Sequence, residues 1–148
     1  MVQATLPLTE LYLADETAWL DAMVELIGAG EHSELDYANL REYLQDMARR
    51  DRREVQSRLL QLLQHILKWE FQPDKRTGSW RRSIIHQSYE LRQDAEGGVL
   101  RNHLDSRLAE VFGIAVQEAA AETGLPEETF PAECPYTLDE VLTYEAAE

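Results

Sequence analysis

Residues 55–72 read VQSRLLQLLQHILKWEFQ, and this stretch decides the fold class. Val55, Leu59, Leu62, Leu63, Ile66, Leu67 and Trp69 recur at spacings of three and four, so they share one helical face. Pro73 ends the helix, because its ring clashes with the preceding turn and it has no N–H to continue the ladder. The connector that follows, PDKRTG at 73–78, is short enough to turn the chain back on itself. The next helix has Trp80, Ile84, Gln87 and Leu91 on its inner face, which predicts a central antiparallel hairpin of about 52–72 and 78–94.

Working outward, the same period recurs. Asp15 caps a helix whose face is Trp19, Leu20, Met23, Leu26 and Ile27, with Gly28 and Gly30 as its stop. Asp36 opens the next, with Tyr37, Leu40, Tyr43, Leu44 and Met47 as its stripe. Asp51 with Glu54 three residues later reads as a capping box and places a break there. One unbroken helix over 37–72 is the alternative, since Leu44 and Val55 lie eleven residues apart and stay in phase. Gly97-Gly98 breaks the chain before a helix carrying Leu100, Leu104, Leu108, Val111, Phe112, Ala115 and Ala119, which stops at Thr123-Gly124-Leu125-Pro126. Pro131 and Pro135 bracket an extended segment anchored by Phe130 and Tyr136, and Thr137 with Glu140 caps a last short helix reaching Leu142. No run alternates apolar and polar residues as a strand would. The expected class is all-α: a compact bundle of about five main helices plus a short C-terminal one, in a single domain over 1–148.

The 148 residues carry 28 acidic and 14 basic side chains, a net charge of −14, and the charge falls in blocks. Residues 1–40 hold eight acids and no Lys or Arg, residues 41–107 hold all 14 basic residues against ten acids, and residues 108–148 hold ten acids alone. A basic middle between acidic ends points to complementary surfaces, within one chain or between copies, or to a local anion site. Net charge of this sign repels nucleic acid and anionic membranes at long range. A chain of this length buries about 69% of its unfolded surface, enough for a core without staples. Cys134 is the one cysteine, so no internal disulfide forms. No apolar run approaches a membrane span, and MVQATLPLTEL lacks the basic start of a secretory signal, so the expected location is cytoplasmic.

Several chemistries are excluded by inspection. The residues three before His32, His65, His86 and His103 are Ala29, Leu62, Ser83 and Leu100, so the Glu-x-x-His motif of carboxylate-bridged metal bundles is missing. There is no phosphate loop, no dinucleotide fingerprint and no zinc-protease motif, so neither a metal nor a cofactor is expected. Cys134 lies in PAECPYT with no His beside it to act as a base.

The segment that stands out is 65–87, HILKWEFQPDKRTGSWRRSIIHQ. His65, Trp69 and Gln72 form one strip along their helix, and Gln87 interrupts the opposing apolar stripe. A buried amide there needs partners, and antiparallel pairing places it within about a turn of His65, so a polar contact between the two is predicted. One reading makes His65, Trp69, Gln72 and Gln87 a polar cluster that sets the register of the hairpin. A second makes Lys75, Arg76, Ser79, Trp80 and Arg81 a binding rim at a helix N-terminus, for a small anion or an RNA segment stacked on Trp80. A third is an enzyme using His65 or His86 as acid or base. The four guanidinium groups of Arg49, Arg50, Arg52 and Arg53 are read as a solvated face, with Arg50 paired to Asp46 and Glu54 four residues away on either side. The leading functional expectation is an interaction protein without catalytic residues, acting on a protein partner or a second copy of itself.

A joint pattern runs through the chain: Asp15 with Trp19, LDYANL at 35–40, HILKWEFQP at 65–73, Arg76, Ser79-Trp80, Ile84 with Gln87, and TGLPEETFPAECPYTLDEVL at 123–142. In this the sequence resembles the bacterial family catalogued as domain of unknown function 29, and the resemblance covers nearly the whole chain. Two positions depart from the family's usual pattern. Ala18 stands where an aromatic residue commonly precedes the first Trp, and Ser88 where a basic residue commonly follows the Gln. The resemblance implies a small, soluble, helical protein and no established activity.

Overall fold

In a computed structural model that describes residues 6–147, the chain forms α1 (Leu8–Ala14), α2 (Glu16–Gly28), α3 (Tyr37–Phe71), α4 (Gly78–Asp94), α5 (Gly98–Thr123) and α6 (Leu138–Leu142). Short 3-10 turns lie at His32–Glu34, Pro73–Lys75 and Glu127–Thr129, and no strand occurs among the described residues. The all-α class and the short C-terminal helix are as expected, while α1 lies ahead of the first helix read from the sequence.

The break at Asp51 does not form. The 35 residues of α3 run without interruption, so the alternative reading of 37–72 is the correct one. No Gly or Pro lies between 37 and 72, so nothing forces the backbone out of the helix, and a cap there would forfeit several ladder hydrogen bonds. The surface charges pair differently from the expected spacing. Arg49 donates to Asp46 at 2.8 Å and Arg58 to Glu54 at 3.4 Å, and Arg50 stays exposed.

Contacts divide the chain into two compact units, residues 1–49 and 50–148. The first is built around Tyr12, Trp19 and Met23. Trp19 is fully buried, with Tyr12 edge-on at 4.7 Å and Tyr43 tilted at 5.9 Å between ring centroids. Its indole N–H donates to Asp36 Oδ2 at 3.1 Å, and Asn39 Nδ2 donates to the same oxygen at 2.8 Å. Those bonds satisfy a carboxylate that burial would otherwise penalise. Asp15 accepts from the Ala18 amide, as a cap should.

The second unit packs the inner faces of α4, α5 and α6 onto the C-terminal half of α3. Cross-helix contacts define the directions. Lys68 meets Trp80, and Gln61 meets Gln87, so rising numbers on α3 face falling numbers on α4 and the two are antiparallel. Gln56 meets His103 and Lys68 meets Glu122, so α5 runs parallel to α3. Gly98 and Gly124, with φ of 71° and 75°, make the turns that bracket α5. Phe130 is buried edge-on against Phe71 at 5.2 Å and anchors the segment after α5, and Tyr136 packs half-buried against Tyr144. The capping box of Thr137 and Glu140 opens α6 as expected.

Candidate interaction surface at the central hairpin

The predicted polar cluster divides into separate contacts. The Gln87 side chain is half-buried and finds its partners one turn from His65: its Nε2 donates to Gln61 Oε1 at 2.7 Å, and Arg58 Nη1 donates to its Oε1 at 3.2 Å. The His65 ring turns to its own helix instead, with Nδ1 2.8 Å from the Gln61 carbonyl. Burial holds the His65 pKa below the usual imidazole value, so the neutral ring that donates this bond is favoured. Gln72 makes no side-chain hydrogen bond among the described residues, because the helix ends beside it and its backbone amide and carbonyl close the turn at Pro73. The residue missed is Gln61, four before His65 and directly opposite Gln87. Its signal was a second amide on the hairpin's inner edge.

Trp69 serves the C-terminus. Its Nε1 donates to the Ala147 carbonyl at 3.0 Å. Arg76 stacks its guanidinium 4.7 Å from the Trp69 ring centroid, donates Nε to the Trp69 carbonyl at 2.9 Å and reaches the Ala147 carbonyl at 3.5 Å. Arg76 is therefore a clamp on the tail, not a free member of the basic rim. Nearby, Tyr144 donates its hydroxyl to Glu70, and burial, reinforced by that bond, raises the phenol pKa above its ordinary value.

Trp80 is half-buried, and its ring faces the Lys68 ammonium at 5.0 Å, so it is not an open stacking platform. Lys68 itself is buried, and its ammonium donates to Glu122 Oε1 at 3.0 Å while Gln64 donates to Oε2 at 2.7 Å. The Lys68 bond holds the Glu122 carboxyl below the usual range. Thr77 caps α4 by accepting from the Trp80 amide at 3.1 Å.

The remaining rim is open. Among the described residues the side chains of Lys75, Ser79 and Arg81 are exposed and make no hydrogen bond or ion pair, and the same is true of Arg82 and His86. Farther along α4, Ile85 and Tyr89 are 58% and 52% exposed one turn apart, while Ile84, Ser88 and Leu91 face inward. Ser88 is buried with its hydroxyl donating to the Ile85 carbonyl at 3.1 Å, so its side chain points inward. Burial pushes the Cys134 thiol up, away from the reactive thiolate, and its S–H donates to the Tyr136 carbonyl at 3.4 Å. Among the described residues no cluster of three or more His, Cys, Asp or Glu could hold a metal ion, and no helix is long and apolar enough to cross a membrane.

An all-helical protein with a clamped C-terminal tail and an open cationic helix face is thus defined. The chain belongs to the family described as Domain of unknown function DUF29, whose model matches residues 11–146. No curated protein and no solved structure matches it.

Proposed function

We propose that this protein is a non-enzymatic interaction module that receives an acidic protein partner on the outer face of α4. The observation that carries the reading is the sorting of its cations. Arg49, Arg58, Lys68, Arg101 and Arg107 pair with carboxylates, and Arg76 and Arg92 bond backbone carbonyls. Lys75, Arg81 and Arg82 pair with nothing among the described residues, as do Arg41, Arg50 and Arg53 on α3, but only the first three gather around the start of α4, where Ile85 and Tyr89 add apolar area beside them. Exposed charges of this kind steer association and select partners more than they stabilise a fold. A second copy qualifies as the partner, since residues 1–40 carry eight acids and no Lys or Arg. Nucleic acid is disfavoured by the net charge of −14.

The expected catalytic alternatives have less support. His65 is committed to a backbone carbonyl, and His86 is exposed without a neighbouring acid or nucleophile bonded to it. Binding of a small anion at Lys75, Ser79 and Arg81 remains a second reading, favoured by their lack of internal partners.

Arg76→Glu would damage the tail clamp, so the test uses Lys75→Glu/Arg81→Glu. Light scattering across concentration and salt measures self-association, and capture followed by reconstitution with the identified purified partner measures the rest. Salt-sensitive binding lost in the folded double variant supports the reading. Partners retained unchanged by the variant overturn it.

A further inference from the structure

One flank of α4, with buried Ser88 at its floor, forms one wall of a cavity of about 530 Å³ whose other wall is the chain at 143–147. Arg81, Ile85, Ser88 and Arg92 lie at i, i+4, i+7 and i+11, a single straight row on the helix. The facing segment runs opposite to α4 and is pinned at both ends. Arg92 Nη1 donates to the Leu142 carbonyl at 2.6 Å, and the Ala147 carbonyl takes the Trp69 N–H at 3.0 Å. Between the pins, the backbone amides of Glu145 and Ala146 make no hydrogen bond among the described residues.

We propose that this groove binds an extended acidic segment of a protein partner, with a carboxylate held at each end by Arg81 and Arg92. The inference rests on the interaction-module reading and names the form of the ligand. Arg81 and Arg92 are eleven residues apart, so about 16 Å separates them along the helix axis. A helical ligand about 10 Å across needs a wider trough than an extended chain of the same length. An extended chain rises about 3.3 Å per residue, so four or five residues span the same distance and fit. Consecutive amides of an extended segment point to opposite sides, so one of the Glu145 and Ala146 N–H groups can serve a backbone laid alongside, and exposed Ile85 offers a seat for one apolar side chain. Arg81 has no partner among the described residues, and Arg92 has given one N–H to a neutral carbonyl. Glu145 also lines the groove, so its three charged residues sum to +1, which favours an anionic ligand while leaving one repulsive contact.

The probe is a fluorescein-labelled seven-residue peptide with glutamates at its second and sixth positions and valine and threonine elsewhere, followed by anisotropy at low ionic strength. The full chain is expected to bind it; replacement of both peptide glutamates by glutamine weakens binding about tenfold, the sum of two partly exposed charge contacts, and Arg81→Glu does so by a similar factor, one attraction lost and one repulsion gained. Ile85→Glu weakens it independently of any guanidinium, and Glu145→Gln tightens it about threefold. Equal binding of the glutamine peptide, unchanged binding by folded Arg81→Glu, or no binding at millimolar protein overturns the proposal. If the peptide fails while a purified acidic partner still depends on Lys75 and Arg81, the groove site is discarded and the interaction reading stands.

Discussion

Trp69 on α3 donates its indole N–H to the carbonyl of Ala147, 78 residues later in the chain. The bond places the C-terminal tail beside the central hairpin, with the Arg76 guanidinium stacked on the same indole. Removing Arg76 leaves the tail held by the Trp69 bond, the Tyr144–Glu70 contact, the Arg92–Leu142 bond and the packing of Tyr144 and Ala146. Arg76→Ala is expected to cost about 1–2 kcal/mol in urea unfolding, the sum of a stacked cation and two partly exposed hydrogen bonds. Amide exchange over 143–147 should rise more than over α4. Uniform exchange across both would show that Arg76 does not act through the tail.

The Lys68–Glu122 pair makes the second unit sensitive to acid. Glu122 has its folded-state pKa depressed, so its contribution is present above the unfolded carboxylate value and lost as pH falls through the lower folded one. Unfolding midpoints should therefore decline below about pH 4.3, and Glu122→Gln should flatten that decline. At neutral pH this variant is expected to cost about 1 kcal/mol, since half of the Glu122 side chain faces water. Lys68→Met keeps the buried stem over Trp80 and removes the charge, and it should be neutral or stabilising.

His65 adds a separate window. Its folded pKa is lowered, so its contribution is full above the unfolded imidazole value of about 6.5 and is lost as pH falls below it. Proton NMR should place its titration below that value, and His65→Gln should remove a step in stability just under pH 6.5 without altering the step near pH 4. A titration at or above the free value would contradict the buried neutral ring.

Continuity of α3 is testable at Arg50, which lies exposed in the helix interior and is unpaired among the described residues. Arg50→Gly should lower stability by about 1 kcal/mol relative to Arg50→Ala. A chain with a loop at 49–51 would show no difference between the two in thermal melts followed by circular dichroism.

In the N-terminal unit, Asp36→Ala leaves the Trp19 indole N–H buried without its acceptor. A loss of about 1–3 kcal/mol is expected, with a shift in Trp19 emission as its surroundings loosen. The change should spare amide exchange in α5, because Asp36 and α5 belong to separate cores. Asp36→Asn keeps an acceptor for the indole and should recover most of the loss.

Much of this architecture was legible in residue order. The faces of α4 and α5, that of α2 apart from exposed Ile27, the Asp15 and Thr137 caps, the stop at Pro73 and the turn at Gly124 each depend on neighbours within a few residues. The Asp51–Glu54 pair was misleading for the same reason. A cap signature reports a local preference, while a helix without Gly or Pro keeps its ladder even where its stripe is interrupted, as at Leu44, which is exposed while Val55 is buried. Within the candidate site, Lys75, Ser79 and Arg81 are open as their polarity suggested, and Gln87 did find polar partners, though at Gln61 and Arg58 and not at His65. The one-turn difference lies in the hairpin's register, which side-chain packing across two helices decides.

By itself, then, the sequence determined the all-helical class, the segmented charge and the central hairpin, because periodicity, caps and breakers act over a few residues. Only the tertiary structure decided which cations are free. Arg76 and Arg81 read alike in a basic stretch, yet Arg76 is held by carbonyls at Trp69 and Ala147 while Arg81 faces an open groove. That distinction depends on where a tail 71 residues after Arg76 comes to rest, and long-range packing, not local propensity, determines its position.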